Sequence, residues 1–152
     1  MRLDLSRTVD IDAPPLDVWA VWSDVARWPE WNTAVASVEV LGPDTDGISV
    51  GQRVRIRQPK FPTAIWRVTV VDAPVYFEWV AESPGARVTG VHRIAAEADG
   101  RSTATMGLRF EGPVARFVAW VSRSLTERNL GLEATGLKRR SEERRRQQVG
   151  RR

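Results

Sequence analysis

Between Ile11 and Leu16 the apolar residues change period, and two prolines mark the change. Before it, Leu3, Leu5, Val9 and Ile11 alternate with Asp4, Ser6, Thr8 and Asp10, the period-two pattern of a strand with one buried face. After it, Leu16, Trp19, Ala20 and Ser23 recur at helical spacing, with Val18 and Trp22 widening the stripe. Pro14 or Pro15 suits the first helical turn, where a missing N–H leaves no hydrogen bond unmade. Asp24 then opens a second short turn, and Pro29 ends it, because the residue before a proline avoids helical backbone. Trp28 and Trp31 flank that stop.

Six more extended segments follow, over about 34–41, 50–58, 64–72, 76–82, 86–96 and 101–110. Turn chemistry separates them: Gly42-Pro43 with Asp44-Thr45-Asp46-Gly47, Pro59 with Pro62, Ser83-Pro84-Gly85, and the hairpin pair Asp99-Gly100. Connections this short predict antiparallel pairing. Gly112-Pro113 starts the last element, where Phe117, Val118, Val121, Leu125 and Leu132 recur at three and four, predicting one helix of six turns or more. The expected organisation is a single domain over residues 1–140 and a basic tail over 141–152, frayed or disordered.

The charge balance narrows the function classes. Net charge is +4, yet residues 138–152 hold eight basic residues against two acidic ones, leaving the rest of the chain mildly acidic. Basicity confined to one end reads as a solvated helix terminus rather than a basic folded face for a phosphate backbone, so no stable nucleic-acid partner is expected. The chain has no cysteine and one histidine, which excludes disulfides, thiolate metal sites and multi-histidine metal sites. It holds no apolar run of membrane-spanning length and no secretory signal, so a cytoplasmic protein without a transmembrane segment is expected. No phosphate-binding glycine loop and no nucleophile elbow occurs.

The Ile11-Asp12-Ala13-Pro14 run, Val18-Trp19, the Trp28-Pro29-Glu30-Trp31 block, Phe77-Glu78-Trp79, the Gly90–His92 strand and Phe110-Glu111-Gly112-Pro113 occur in a characteristic order. With Trp66 and the closing Gly136-Leu137-Lys138-Arg139-Arg140, this order resembles the START-like, or Bet v 1-like, superfamily and its polyketide cyclase/dehydrase-type members. The resemblance spans about residues 2–140. It implies an α+β helix-grip fold: a seven-stranded antiparallel sheet wrapped around a long C-terminal helix, with two short helices after the first strand. It also implies an internal cavity between sheet and helix.

Alternation places an apolar, aromatic lining on that cavity. The expected ligand-binding residues are Trp28, Trp31, Val54, Ile56, Trp66, Val68, Phe77, Trp79, Val88, Met106 and Leu108, with Phe117, Val121 and Leu125 closing it from the last helix. Trp28 and Trp31 also read as part of a plug that seals one end. Two polar groups stand out on the inner parity. His92 can orient a hydroxyl or act as an acid–base group, or be a satisfied core histidine; Arg7 can bind a carboxylate or enolate, or snorkel out at the strand end. Glu39, Glu78 and Glu82 fall on the outer parity. The expected function is binding of a small apolar or aromatic molecule, of polyketide, lipid or quinone type, without metal or cofactor. One alternative is a polyketide cyclase or aromatase with His92 and Arg7 as its catalytic pair. A second is association with membrane or nucleic acid through the basic tail. Oligomeric state is left open.

Overall fold

The computed structural model describes residues 1–43 and 47–151. Strand β1 (Leu5–Ile11) leads into helix α1 (Pro15–Trp22) and a 3-10 turn over Val25–Glu30. Then come β2 (Ser37–Leu41), β3 (Arg53–Arg57), β4 (Ala64–Asp72), β5 (Tyr76–Ser83), β6 (Ala86–Ala96) and β7 (Ser102–Glu111). Two helices close the chain, α2 (Pro113–Val121) and α3 (Arg123–Val149). The strands form one antiparallel sheet in the order β1-β7-β6-β5-β4-β3-β2, so only β1 makes a long return, pairing with the last strand. All seven strands stand where alternation put them. The expected loop over Asp44-Thr45-Asp46-Gly47 lies, for residues 44–46, outside the described residues.

The local chemistry works as expected at several joints. Pro15 occupies the first position of α1. Asp99 and Gly100 both take positive φ, 62° and 72°, as a tight right-twisted hairpin requires. On the sheet's outer face Glu39 bonds Arg55 at 2.6 Å, and Glu82 bonds Arg67 at 3.2 Å. The tyrosine Tyr76 donates to Glu78 at 2.5 Å, and burial beside that carboxylate pushes its pKa up to about 12.

The last element differs from the sequence expectation. A single helix was expected from Val114 onward; the structure breaks it at Ser122, where φ is −104° and ψ 12°. The Ser122 hydroxyl donates back to the Val118 carbonyl at 2.6 Å, a bond that competes with the helical ladder and bends it. The piece before the break packs the opposite way from expectation. Ala115 is buried against the β6–β7 side of the sheet, while Phe117 is 62% exposed and Val121 59% exposed. Phe117 and Val121 therefore do not line the interior; they stand on the outer side of α2.

The tail also differs. Residues 141–149 continue α3, and the Ser141 side chain is fully buried. Arg140 bonds Glu30 at 2.6 Å, Arg144 bonds Asp17 at 3.2 Å, and Arg145 pairs with Asp12. Lys138 donates to the Asp10 carbonyl at 2.9 Å and to Glu142 at 2.7 Å. Several of the basic residues are thus fastened to acids of α1 and its flanks, and the helix end is ordered rather than frayed.

Burial on the inner face falls along β1, β6 and β7, while Val54 and Ile56 keep β3 buried. On β1, β5, β6 and β7, Ile11, Ala104, Ile94 and Phe77 are buried on the side where α1 and the tryptophans pack. Toward the opposite end Leu5, Leu108, Phe110, Val88 and Trp66 are only half-buried. The sheet's inner face is sealed at one end and unsealed at the other.

Candidate functional site

The middle of the inner face carries an aromatic cluster with His92 at its centre. Strand register puts Phe77 opposite His92 and Trp79 opposite Gly90. The imidazole stacks on Phe77 with ring centres 4.0 Å apart and planes 8° from parallel. Trp22, Trp79 and Trp28 present their rings to it at 5.1, 5.0 and 5.8 Å. Gly90 makes this possible: a Cβ there would sit 2.6 Å from Trp79 Nε1, so glycine lets the indole lie against the neighbouring strand.

His92 is 4% exposed, and its Nδ1 donates to the Phe77 carbonyl oxygen at 3.2 Å. That bond fixes the tautomer and leaves Nε2 as an acceptor in the neutral ring. Burial disfavours the imidazolium and pushes the pKa down to about 3, more than the carbonyl acceptor restores. At neutral pH this ring accepts hydrogen bonds; it is a poor base.

The second polar group is Glu133, which the sequence reading did not single out. It stands half-buried on the core-facing side of α3, between the buried Leu130 and Leu137, and accepts a hydrogen bond from Trp22 Nε1 at 3.0 Å. Burial raises its carboxyl pKa to about 7, against the lowering effect of the indole donor. The signal was in the spacing: residue 133 lies three after Leu130 and four before Leu137, the positions that face the core. Glu133 and His92 both rest on Trp22, one at its N–H and one at its ring. Thr126 is buried on the same face of α3, and its hydroxyl is occupied by the Ser122 carbonyl at 3.0 Å.

The other expected site residues divide by position. Val54, Ile56, Val68, Phe77, Trp79 and Met106 are all buried in the core cluster. Trp66, Val88, Leu108 and Leu125 are half-buried toward the unsealed end. Trp28 and Trp31 belong to the sealed end. Trp28 Nε1 donates to the Trp22 carbonyl at 2.9 Å, and the Trp31 backbone lies directly against Gly136 of α3. A Cβ at 136 would collide with the Trp31 carbonyl oxygen, so this glycine is a close-approach residue. The buried Asn32 is accounted for locally, its Oδ1 accepting from the Ala34 N–H at 3.0 Å.

Arg7 stands on the inner parity, in one register row with Met106 and His92. Two strand spacings separate it from His92, about 10 Å, and the buried Met106 lies between them. Its side chain leaves the row and runs to the sheet edge, where the guanidinium lies over Gly131. There it lines an open cleft of about 420 Å³ with Ser124, Glu127, Arg128, Gly131, Leu132 and Thr135. The structure does not bring Arg7 and His92 to one site. Among the described residues no group of three or more His, Cys, Asp or Glu side chains is placed to hold a metal ion. Nor is any helix among them long and apolar enough to cross a membrane.

Comparison with known proteins agrees with this architecture. A family model described as polyketide cyclase/dehydrase and lipid transport matches residues 2–142. Among solved structures, the chain is similar to the Zhui aromatase/cyclase from Streptomyces sp. R1128, with a TM-score of 0.72 at 19% identity over 92% of this chain and 93% of that one. It is similar to a START superfamily protein from Mycobacterium smegmatis, with a TM-score of 0.65 at 16% identity over 95% and 97%. It is also similar to a norcoclaurine synthase point mutant from Thalictrum flavum, with a TM-score of 0.72 at 16% identity over 91% and 93%. These identities speak to the fold alone. No match was found among curated protein sequences.

Proposed function

The chain belongs to the polyketide cyclase/dehydrase and lipid transport family of the START-like, helix-grip superfamily, and we propose that it binds a small, mainly apolar molecule with an aromatic or polyketide-like body in the space between sheet and α3. The observation that carries this reading is that a neutral His92 and a half-buried Glu133 both rest on Trp22 within an otherwise aromatic wall. Aromatic rings supply non-directional burial, and a few polar groups orient the ligand. His92 Nε2 accepts from a ligand hydroxyl, and Glu133 accepts or donates according to its protonation. The unsealed end, ringed by Val88, Leu108, Phe110 and Trp66, is the way in. A thermal-shift panel of flavonoids, polyketides, fatty acids and quinones tests this. At least one class raises the Tm of the wild type and raises that of a His92→Phe, Glu133→Gln double variant less. A panel without any shift overturns the reading.

Glu133 also favours a second reading, as a cyclase. A carboxyl with pKa about 7 is half-ionised near neutrality, which suits proton transfer from a carbon between two carbonyls and back to the new hydroxyl. His92, pushed down to about 3, does not suit the role of base that the sequence suggested for it. Under this reading Glu133→Gln abolishes turnover of a bound polyketone while leaving its binding within about threefold. Undiminished turnover excludes Glu133 as the acid–base group.

A further inference from the structure

We propose that α2 is a docking helix for an anionic lipid surface. Helix α2 contributes none of the groups assigned to the ligand site. Helix α2 rests on the sheet by its small residues: Ala115 is buried and Ala119 half-buried. Its larger apolar residues face outward, with Phe117 62%, Trp120 76% and Val121 59% exposed, and Val114 and Val118 also exposed. One nine-residue helix presenting five large apolar side chains to solvent is a contiguous patch, not scattered exposure.

The orientation is built in. Gly112, at φ 93°, turns the chain, and the Val114 N–H donates to the Gly85 carbonyl at 3.0 Å. A roll about the helix axis that buried Phe117 would have to put a phenyl ring where the methyl of Ala115 now fits. The apolar face therefore stays outward.

Charge selects the occupant. Residues 113–124 contain Arg116 and Arg123 and no acid. Arg123 pairs with Glu127 and Arg109 with Glu111, but Arg116 has no ion-pair partner among the described residues, and the hollow it shares with Arg2, Arg109, Asp4 and Glu111 keeps a positive excess. A second copy of the chain meeting this patch in a two-fold contact would set like charges against each other. An anionic headgroup layer meets the arginines while the rings enter the acyl boundary, with Trp120 at the depth tryptophan favours. A helix of this length, about 13 Å, lies in the plane of the surface.

Flotation with vesicles of phosphatidylcholine alone, and of phosphatidylcholine mixed with phosphatidylglycerol, tests the proposal. The wild type binds the anionic vesicles, and binding falls as salt is raised. A Phe117→Ser, Trp120→Ser double variant, which touches only exposed positions, keeps the wild-type Tm and loses binding by at least about tenfold. Arg116→Gln weakens binding about fivefold, the contribution of one basic group near such a surface. Arg146→Gln, at the far end of α3, changes nothing. No binding to anionic vesicles overturns the proposal, as does equal binding to neutral ones or binding that survives the double variant. A wild-type dimer that the double variant returns to monomer also overturns it, in favour of self-association.

Discussion

At the end of the molecule closed by α1, Trp22, Trp28 and Trp31 are buried, with Trp22 bonded to Glu133 and Trp31 packed on Gly136 in the middle of α3. At the other end α2 turns Phe117, Trp120 and Val121 to solvent, and the strands beneath leave Leu5, Val88 and Leu108 half-covered. Both ends are rich in apolar side chains, so hydrophobicity alone does not separate them. What separates them is where the partner comes from. The sealed end finds it within the chain, through Gly136 under the Trp31 backbone and Glu133 at the Trp22 indole. The open end has no such partner among the described residues. The first arrangement holds the fold; the second leaves surface available for binding.

The sharpest way to break this contrast is to truncate a ring at each end. Trp22→Ala removes a fully buried indole that stands edge-on to Phe77 and His92, and leaves the Glu133 carboxyl without its donor. A loss of about 3–5 kcal/mol in denaturant unfolding is expected. Gly136→Ala comes next, at about 1–3 kcal/mol, because the added methyl meets the Trp31 carbonyl and outweighs alanine's better helix propensity.

The pH dependence follows from two titratable groups, the buried His92 and the half-buried Glu133, which act in opposite directions. Glu133 has its pKa raised from 4.5 to about 7, so the folded state holds a proton the unfolded state has released, and stability falls as pH rises across that window. Glu133→Gln removes that slope, a difference of roughly 1–2 kcal/mol once solvent screening of a half-buried group is allowed for. His92 has its pKa lowered from 6.5 to about 3, so its contribution is full above 6.5 and is lost as pH falls toward 3. His92→Phe flattens the acid limb, read from Tm against pH. The smallest effect belongs to the open end: Trp120→Ala changes stability by less than about 0.5 kcal/mol, because the ring is 76% exposed. A large loss there would erase the distinction between the two ends.

The sheet was legible because antiparallel strands with short turns write their pattern locally. Val54 and Ile56 alternate with arginines, and Asp99-Gly100 announces its hairpin. Helix orientation was not legible in the same way. Periodicity says that Phe117 and Val121 share a face; it does not say whether that face meets the sheet, which here is decided by the fit of Ala115 and the turn at Gly112. The order of residues 141–149 was hidden for another reason. Arg144 and Arg145 are partnered by Asp17 and Asp12, more than 120 positions away, so the run looks uncompensated along the chain and is compensated in space. The site was half-read: His92 was visible as a polar residue on an apolar parity, and Glu133 was hidden in a segment read for its leucines.

The central claim is that the open end admits a ligand to the wall formed by His92, Trp79 and Trp66. Indole N–H resonances, assigned by single Trp→Phe replacements and followed while a Tm-raising compound is titrated, test it most directly. The account predicts that the Trp79 and Trp66 signals move with a common Kd, while Trp31 at the sealed end and Trp120 on α2 stay in place. Movement confined to Trp120, or no indole shift at saturating ligand, would contradict it.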